Sequence, residues 1–221
     1  MTTFAGLWHE LQPLGRDPGT GGYRRYSWTP ADAQCRAWFT RHAEDLGLTV
    51  EPDNNGNLWA WWDERRSNAV VTGSHLDSVP DGGAFDGPLG VASALAAVKE
   101  LKDQGFNPER AVVLAVFTEE EGARFRVSCL GSRLMTGAIT PDAARALSGD
   151  DGVTLATAMS AAGFDPSGLG PREDLLGGIG AFVELHVEQG RMLAPMGAPL
   201  GLAECIWPQP HRRLAFPRRA R

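Results

Sequence analysis

Cysteine is scarce in this chain of 221 residues. Cys35, Cys129 and Cys205 have no paired spacing, which excludes a disulfide framework and a cysteine-type zinc site. Positive charge is also in the minority, with 21 Lys and Arg against 27 Asp and Glu and a formal net charge of −6. A general nucleic-acid binder needs a basic face to displace counterions, so nucleic acid is not an expected partner. No apolar run approaches the roughly 18 residues of a membrane span, and no membrane partner is expected. Met1 to Glu10 lack a basic segment followed by an apolar one. No secretory signal is therefore expected, and the cytoplasm is the expected compartment. Internal repeats and low-complexity tracts are missing. A phosphate-binding loop is missing too, because Gly19 to Gly22 lead into Tyr23-Arg24-Arg25 rather than Lys-Ser/Thr opening a helix.

What the chain has in quantity is glycine and proline, 27 and 15 residues, too many for a helical bundle and typical of a loop-rich α/β protein. Thr29-Pro30-Ala31-Asp32 reads as a helix start, with a Thr cap, Pro at the first helical position and an acid behind it. Ala33, Ala37, Trp38 and Leu46 continue the helical spacing, and Gly47 is a natural stop. Leu48 to Pro52, Asn54-Asn55-Gly56 and Leu58 to Trp62 predict a hairpin, since Asn-Gly accepts the positive φ of a tight turn. Trp59, Trp61 and Trp62 then belong to the core or the hairpin face. Ala69 to Thr72, Ala111 to Phe117 and Ala181 to Val187 are apolar runs suited to buried strands, and Val91 to Leu101 has helical spacing. Pro141 to Gly180 reads as short helices and loops. Apolar strands alternating with helices predict a largely parallel sheet covered on both faces.

Open α/β sheets bind ligands at the carboxyl ends of their strands, so the polar residues that follow each run matter. The first run leads into Gly73-Ser74-His75-Leu76-Asp77. The second leads into Thr118-Glu119-Glu120-Glu121-Gly122, and the third contains His186-Val187-Glu188-Gln189. Asp86 sits in a glycine-flanked loop just before the predicted helix. Taken singly, each has an ordinary structural use: a hydrogen-bonded histidine, a turn-forming aspartate, a solvated acidic run. Taken together, two imidazoles and several carboxylates at one edge compose a candidate divalent metal site of the zinc-hydrolase type.

The stretches GSHLDSVPDGGAFDGPLGV, FTEEEGARF, CLGSRLMTG and ELHVEQG resemble the amidase/hydantoinase/carbamoylase group of dinuclear metallohydrolases. That group includes N-carbamoyl-L-amino-acid hydrolases, allantoate amidohydrolases and β-ureidopropionases. The resemblance runs from about Tyr23 to Trp207. It implies a three-layer α/β domain of the zinc-exopeptidase type, with a mixed, mostly parallel sheet. It also implies cleavage of a linear amide or ureido C–N bond in a small molecule such as an N-carbamoyl-L-amino acid or allantoate. Residue by residue, it makes His75 and His186 ligands of the first metal, Asp86 a bridge and Glu121 a ligand of the second. Glu120 becomes the general base, Asp77 the carboxylate that orients a ligand imidazole, and Gln189 a substrate contact. Zinc is the expected ion; manganese, cobalt and nickel suit the same donors. Arg124 admits a functional or a structural role, and Cys129 is expected to be a small packing residue. Two alternatives stay open: an aminoacylase or dipeptidase of the same fold, and a non-catalytic metal-binding fragment.

Members of that group are roughly twice this length. The resemblance implies that they carry an inserted dimerisation domain, through which they form homodimers, and a late histidine that completes the second metal. Neither has a counterpart here, and the domain is expected to be incomplete. Residues 1–207 are expected to be the N-terminal part of the catalytic domain. Residues 208–221 hold five arginines, three prolines and no acid, and the match dissolves just after Ile206-Trp207-Pro208. A truncated or frame-shifted member is expected, with about one metal ion held per chain, little turnover and an open sheet edge.

Overall fold

The computed structural model describes residues 3–64 and 67–204, so Cys205, Trp207, His211 and the basic segment 208–221 lie outside the described residues. The chain divides into two compact units, residues 1–187 and 188–221, and the elements that matter here belong to the first. Helix α1 (Phe4–Leu11) precedes α2 (Pro30–Asp45), which begins as its sequence dictates: the Thr29 side chain accepts from the Asp32 N–H and Pro30 occupies the first turn. Strands β1 (Thr49–Pro52) and β2 (Leu58–Trp61) form the expected hairpin, paired from Thr49↔Trp61 to Pro52↔Leu58, with Gly56 at φ +88° in the turn. Next come β3 (Ala69–His75), α3 (Pro88–Asp103) and β4 (Val112–Phe117). Short helices α4 (Leu130–Met135), α5 (Pro141–Arg145), α6 (Leu155–Ala161) and α7 (Glu173–Gly178) lead to β5 (Ile179–Val183).

The sheet order is β1-β2-β4-β3-β5. The β4–β3 and β3–β5 pairings are parallel; β1–β2 and β2–β4 are antiparallel. The sheet is therefore mixed, and its parallel half carries the candidate site. Period-two alternation decides which side chains meet which helices. Leu58, Ala60, Leu114 and Val116 pack on one face with Leu7 and Leu11 of α1, Trp38 and Phe39 of α2, and Val91 and Leu95 of α3. Their neighbours Trp59, Trp61, Val113 and Ala115 turn to the other face, with Met135 of α4 and Leu175 and Leu176 of α7. Helices thus cover both faces, giving three layers. Each large apolar side chain so buried contributes about 1.5–3 kcal/mol. All three tryptophans of the hairpin belong to these clusters. No helix among the described residues is long and apolar enough to cross a membrane.

Strand boundaries differ from their expectation: β3 continues past Thr72 to His75, because it pairs with β4 as far as His75↔Phe117. The third run was expected to pair over 181–187, but β5 spans 179–183, because its register with β3 ends at Thr72↔Val183. β5 lies at the end of the strand order, with Phe182 and Val183 exposed.

The hairpin turn is held from inside by a buried acid. The Asp53 carboxylate accepts from the main-chain N–H groups of Asn55 and Asn57, from Asn57 Nδ2 and from Trp59 Nε1. Replacing it leaves several buried donors unpaired at about 1–3 kcal/mol each, so Asp53→Ala is expected to lower stability by about 3 kcal/mol or more. A urea titration showing a loss below about 1 kcal/mol would contradict this account of the turn.

Candidate metal centre

His75 is the last residue of β3 and is buried. Asp86 ends the loop that enters α3, and His186 lies three residues beyond β5. Three separate elements therefore deliver three side chains to one place. One donor atom of each, from His75, Asp86 and His186, lies within 4.8 Å of the others. Asp86 Oδ1 is 3.1 Å from His186 Nε2 and 4.0 Å from His75 Nε2.

Both imidazoles are turned the same way. His75 Nδ1 lies 3.1 Å from the Asp77 main-chain oxygen, and His186 Nδ1 lies 2.9 Å from that of Val187. A carbonyl only accepts, so each neutral ring carries its proton on Nδ1 and points an Nε2 lone pair towards Asp86. This is the arrangement in which backbone partners fix a histidine ligand's tautomer. Two such rings and a carboxylate make a donor set that a divalent ion such as zinc fits. Gly87 permits the approach. It sits at φ +82°, and a Cβ there would fall 2.5 Å from the His75 ring.

The acidic run after β4 supplies the other carboxylates. Asp77 Oδ1 accepts from the Glu120 N–H at 3.1 Å and Oδ2 from the Glu121 N–H at 3.0 Å. The same carboxylate stands 3.6 Å from His75 Nδ1. Asp77 thereby fixes both the histidine and the loop that carries the acids. Glu120 Oε2 is 3.4 Å from His75 Nε2, while Oε1 accepts from the Cys129 thiol at 3.3 Å. Cys129 thus contacts the candidate base, where a packing role was expected of it. Glu121 stands outside the three-donor group. Burial and the nearby charges of Asp86, Glu120 and Asp77 push it up to about 7, against the lowering influence of His75. Burial disfavours the charged form of His75, but Asp77, Glu120 and Glu121 outweigh it and push the ring up to about 9. The carboxylate contributions to both shifts have one sign: negative charge is crowded here and favours a cation.

A family model, Peptidase family M28, matches residues 57–147. The chain is 39% identical over 210 residues to an N-carbamoyl-L-amino acid amidohydrolase of Geobacillus stearothermophilus, covering 91% of this chain and 51% of the relative. It is 36% identical over 200 residues to an allantoate amidohydrolase of Escherichia coli K12, covering 89% and 47%. It is 37% identical over 214 residues to a ureidoglycolate hydrolase of Oryza sativa subsp. japonica, covering 91% and 43%. Among solved structures, a hydantoinase/carbamoylase family amidase from Burkholderia ambifaria superposes with a TM-score of 0.75 at 37% identity, over 88% of this chain and 48% of that one. Over nearly its whole length the chain is similar to hydantoinase/carbamoylase family amidases. It spans about half the length of the relatives it matches.

Other residues of the amidase motifs have structural duties. Glu119, the additional acid of the run, is buried, sits at φ +52° and accepts from the Arg124 and Phe125 N–H groups at 2.8 and 2.7 Å. Arg124 donates to the Ser27 and Trp28 carbonyls and pairs with Asp151, so it braces the loop. Gln189 belongs to the second compact unit, where Glu188 caps the start of helix α8 (Leu193–Met196). Burial pushes Glu119 up to about 7 from an ordinary 4.5. A carboxyl raised in the folded state contributes stability that is complete below its unfolded pKa and is lost as pH rises through the folded one. In metal-free protein, Glu119→Gln is therefore expected to flatten the decline of thermal stability between about pH 5 and 8. An unchanged slope in scanning calorimetry would contradict the assignment.

Proposed function

We propose that this chain is the metal-binding part of an amidohydrolase that cleaves a linear ureido or amide C–N bond, with N-carbamoyl-L-amino acids and allantoate as leading substrates. The observation that carries this reading is the convergence of His75 Nε2, Asp86 Oδ1 and His186 Nε2 beside the Glu120 carboxylate. The names of the relatives support it. N-carbamoyl amino acids, allantoate and ureidoglycolate all bear a ureido group on the carbon next to a carboxylate.

In this reading His75, Asp86 and His186 hold one divalent ion, zinc by preference, and Asp86 with Glu121 provides part of a second position. When bound there, such an ion would supply Lewis acidity to the scissile carbonyl and would lower the pKa of water towards about 7. Glu120 takes the proton of the attacking water and returns it to the departing nitrogen as the C–N bond breaks. Asp77 holds Glu120 and Glu121 in place through their N–H groups. A second reading, an aminoacylase or dipeptidase of the same fold, draws on the Peptidase family M28 match. The relatives' names weigh against it.

Elemental analysis after dialysis is expected to find about one divalent ion per chain, the number that a three-donor zinc site holds. Two tightly held ions would contradict this. Because orientation of substrate supplies several orders of magnitude in rate, ammonia release from N-carbamoyl amino acids by the 221-residue chain is expected to fall far below that of a full-length relative. Glu120→Gln should abolish whatever turnover remains while leaving the ion bound. Loss of the ion in that variant would make Glu120 a ligand and overturn its role as base.

A further inference from the structure

Ladder pairing between β3 and β5 ends at Thr72↔Val183, three residues short of His186. Residues 184–187 have no regular structure and their side chains are largely exposed. Yet His186 Nε2 is brought to 3.1 Å from Asp86. Two contacts replace the ladder. Ser74, buried beside His75, donates its hydroxyl to Glu184 Oε1 at 2.5 Å. Gly90, in the first turn of α3, lies against the same segment: a Cβ there would stand 2.7 Å from the Leu185 carbonyl oxygen and 2.8 Å from Ser74 Cβ.

We infer that Ser74, Glu184 and Gly90 form a clamp that positions His186 for metal. The inference rests on the metal-site reading above and adds residues that touch no ligand atom themselves. Its physical basis is preorganisation. An irregular segment released from the sheet would have to be ordered when an ion binds, and that entropy would be subtracted from affinity. Ser74 fastens the segment sideways to the strand that carries His75. Gly90 lets the Leu185 carbonyl settle onto α3 at a distance no side chain would allow. The two contacts flank His186 on the N-terminal side, and the Nδ1 contact to Val187 sets its ring beyond them.

The test is a zinc titration of the chain by calorimetry with a competing chelator. Removing a partner that orients a metal ligand typically costs 10–100-fold in affinity, and Ser74→Ala, Glu184→Ala and Gly90→Ala are each expected to cost about tenfold or more. Glu184→Gln keeps an acceptor oxygen and should recover most of the loss. Glu184 is exposed, so its variants keep the test open if a change at buried Ser74 fails to fold. The decisive comparison repeats Ser74→Ala and Glu184→Ala in a His186→Ala background. If the clamp acts through His186, they cost nothing further there. An effect below about twofold in the parent, or an equal loss in both backgrounds, would overturn the clamp while leaving the metal site standing. If His186→Ala itself leaves zinc affinity unchanged, the metal-site reading fails, and the clamp fails with it.

Discussion

Crowded carboxylates at the end of a buried sheet repel one another, and keeping them together is the constraint on which the rest of this structure depends. Asp77, Glu120 and Glu121 stand close enough to His75 to push that ring up to about 9 against its burial, and burial together with Asp86, Glu120 and Asp77 pushes Glu121 up to about 7. Such a cluster is costly in a poorly solvated setting unless a cation compensates it. The scaffold therefore has to hold the groups in place by means other than their mutual attraction. Parallel strands β3 and β4 set His75 level with Phe117, the residue before the acidic loop. The Asp77 carboxylate grips two N–H groups of that loop. Farther back, Asn57 in the hairpin accepts from the Thr118 N–H, tying the loop to a turn that Asp53 organises.

Much of this was legible in the sequence because its signals are local. Thr29-Pro30 announces α2, Asn-Gly announces the hairpin turn, and the continuous apolar run Leu58 to Trp61 suits a strand buried on both faces. The candidate metal residues stand out in the sequence for a related reason. Each polar group has an ordinary use by itself, but two imidazoles and several carboxylates gathered after successive apolar strands point together to a cation, and the motifs that contain them carry the resemblance.

What the sequence concealed depends on contacts far apart along the chain. Nothing near Ser74 shows that it will meet Glu184, 110 positions later. Nothing near Gly87 shows that an imidazole will lie against its Cα. The end of β5 was misplaced for the same reason: Ala181 to Val187 is apolar apart from Glu184 and His186, yet its pairing with β3 stops at Thr72↔Val183 although β3 itself runs on to His75. Glu119 looked like one more acid in a solvated run and is instead the buried cap of the loop behind it. Helix α1, with only Leu7 and Leu11 fully buried, gains its place from packing on α3 rather than from a strong local signal.

The central claim is that three elements deliver two Nε2 atoms and one carboxylate to a single cation. Anomalous diffraction from zinc-loaded crystals, recorded on both sides of the zinc edge, tests it most directly. The account predicts one dominant anomalous peak in contact with His75 Nε2, His186 Nε2 and Asp86. A peak held by other residues, or full zinc loading with these three side chains left free, would contradict it.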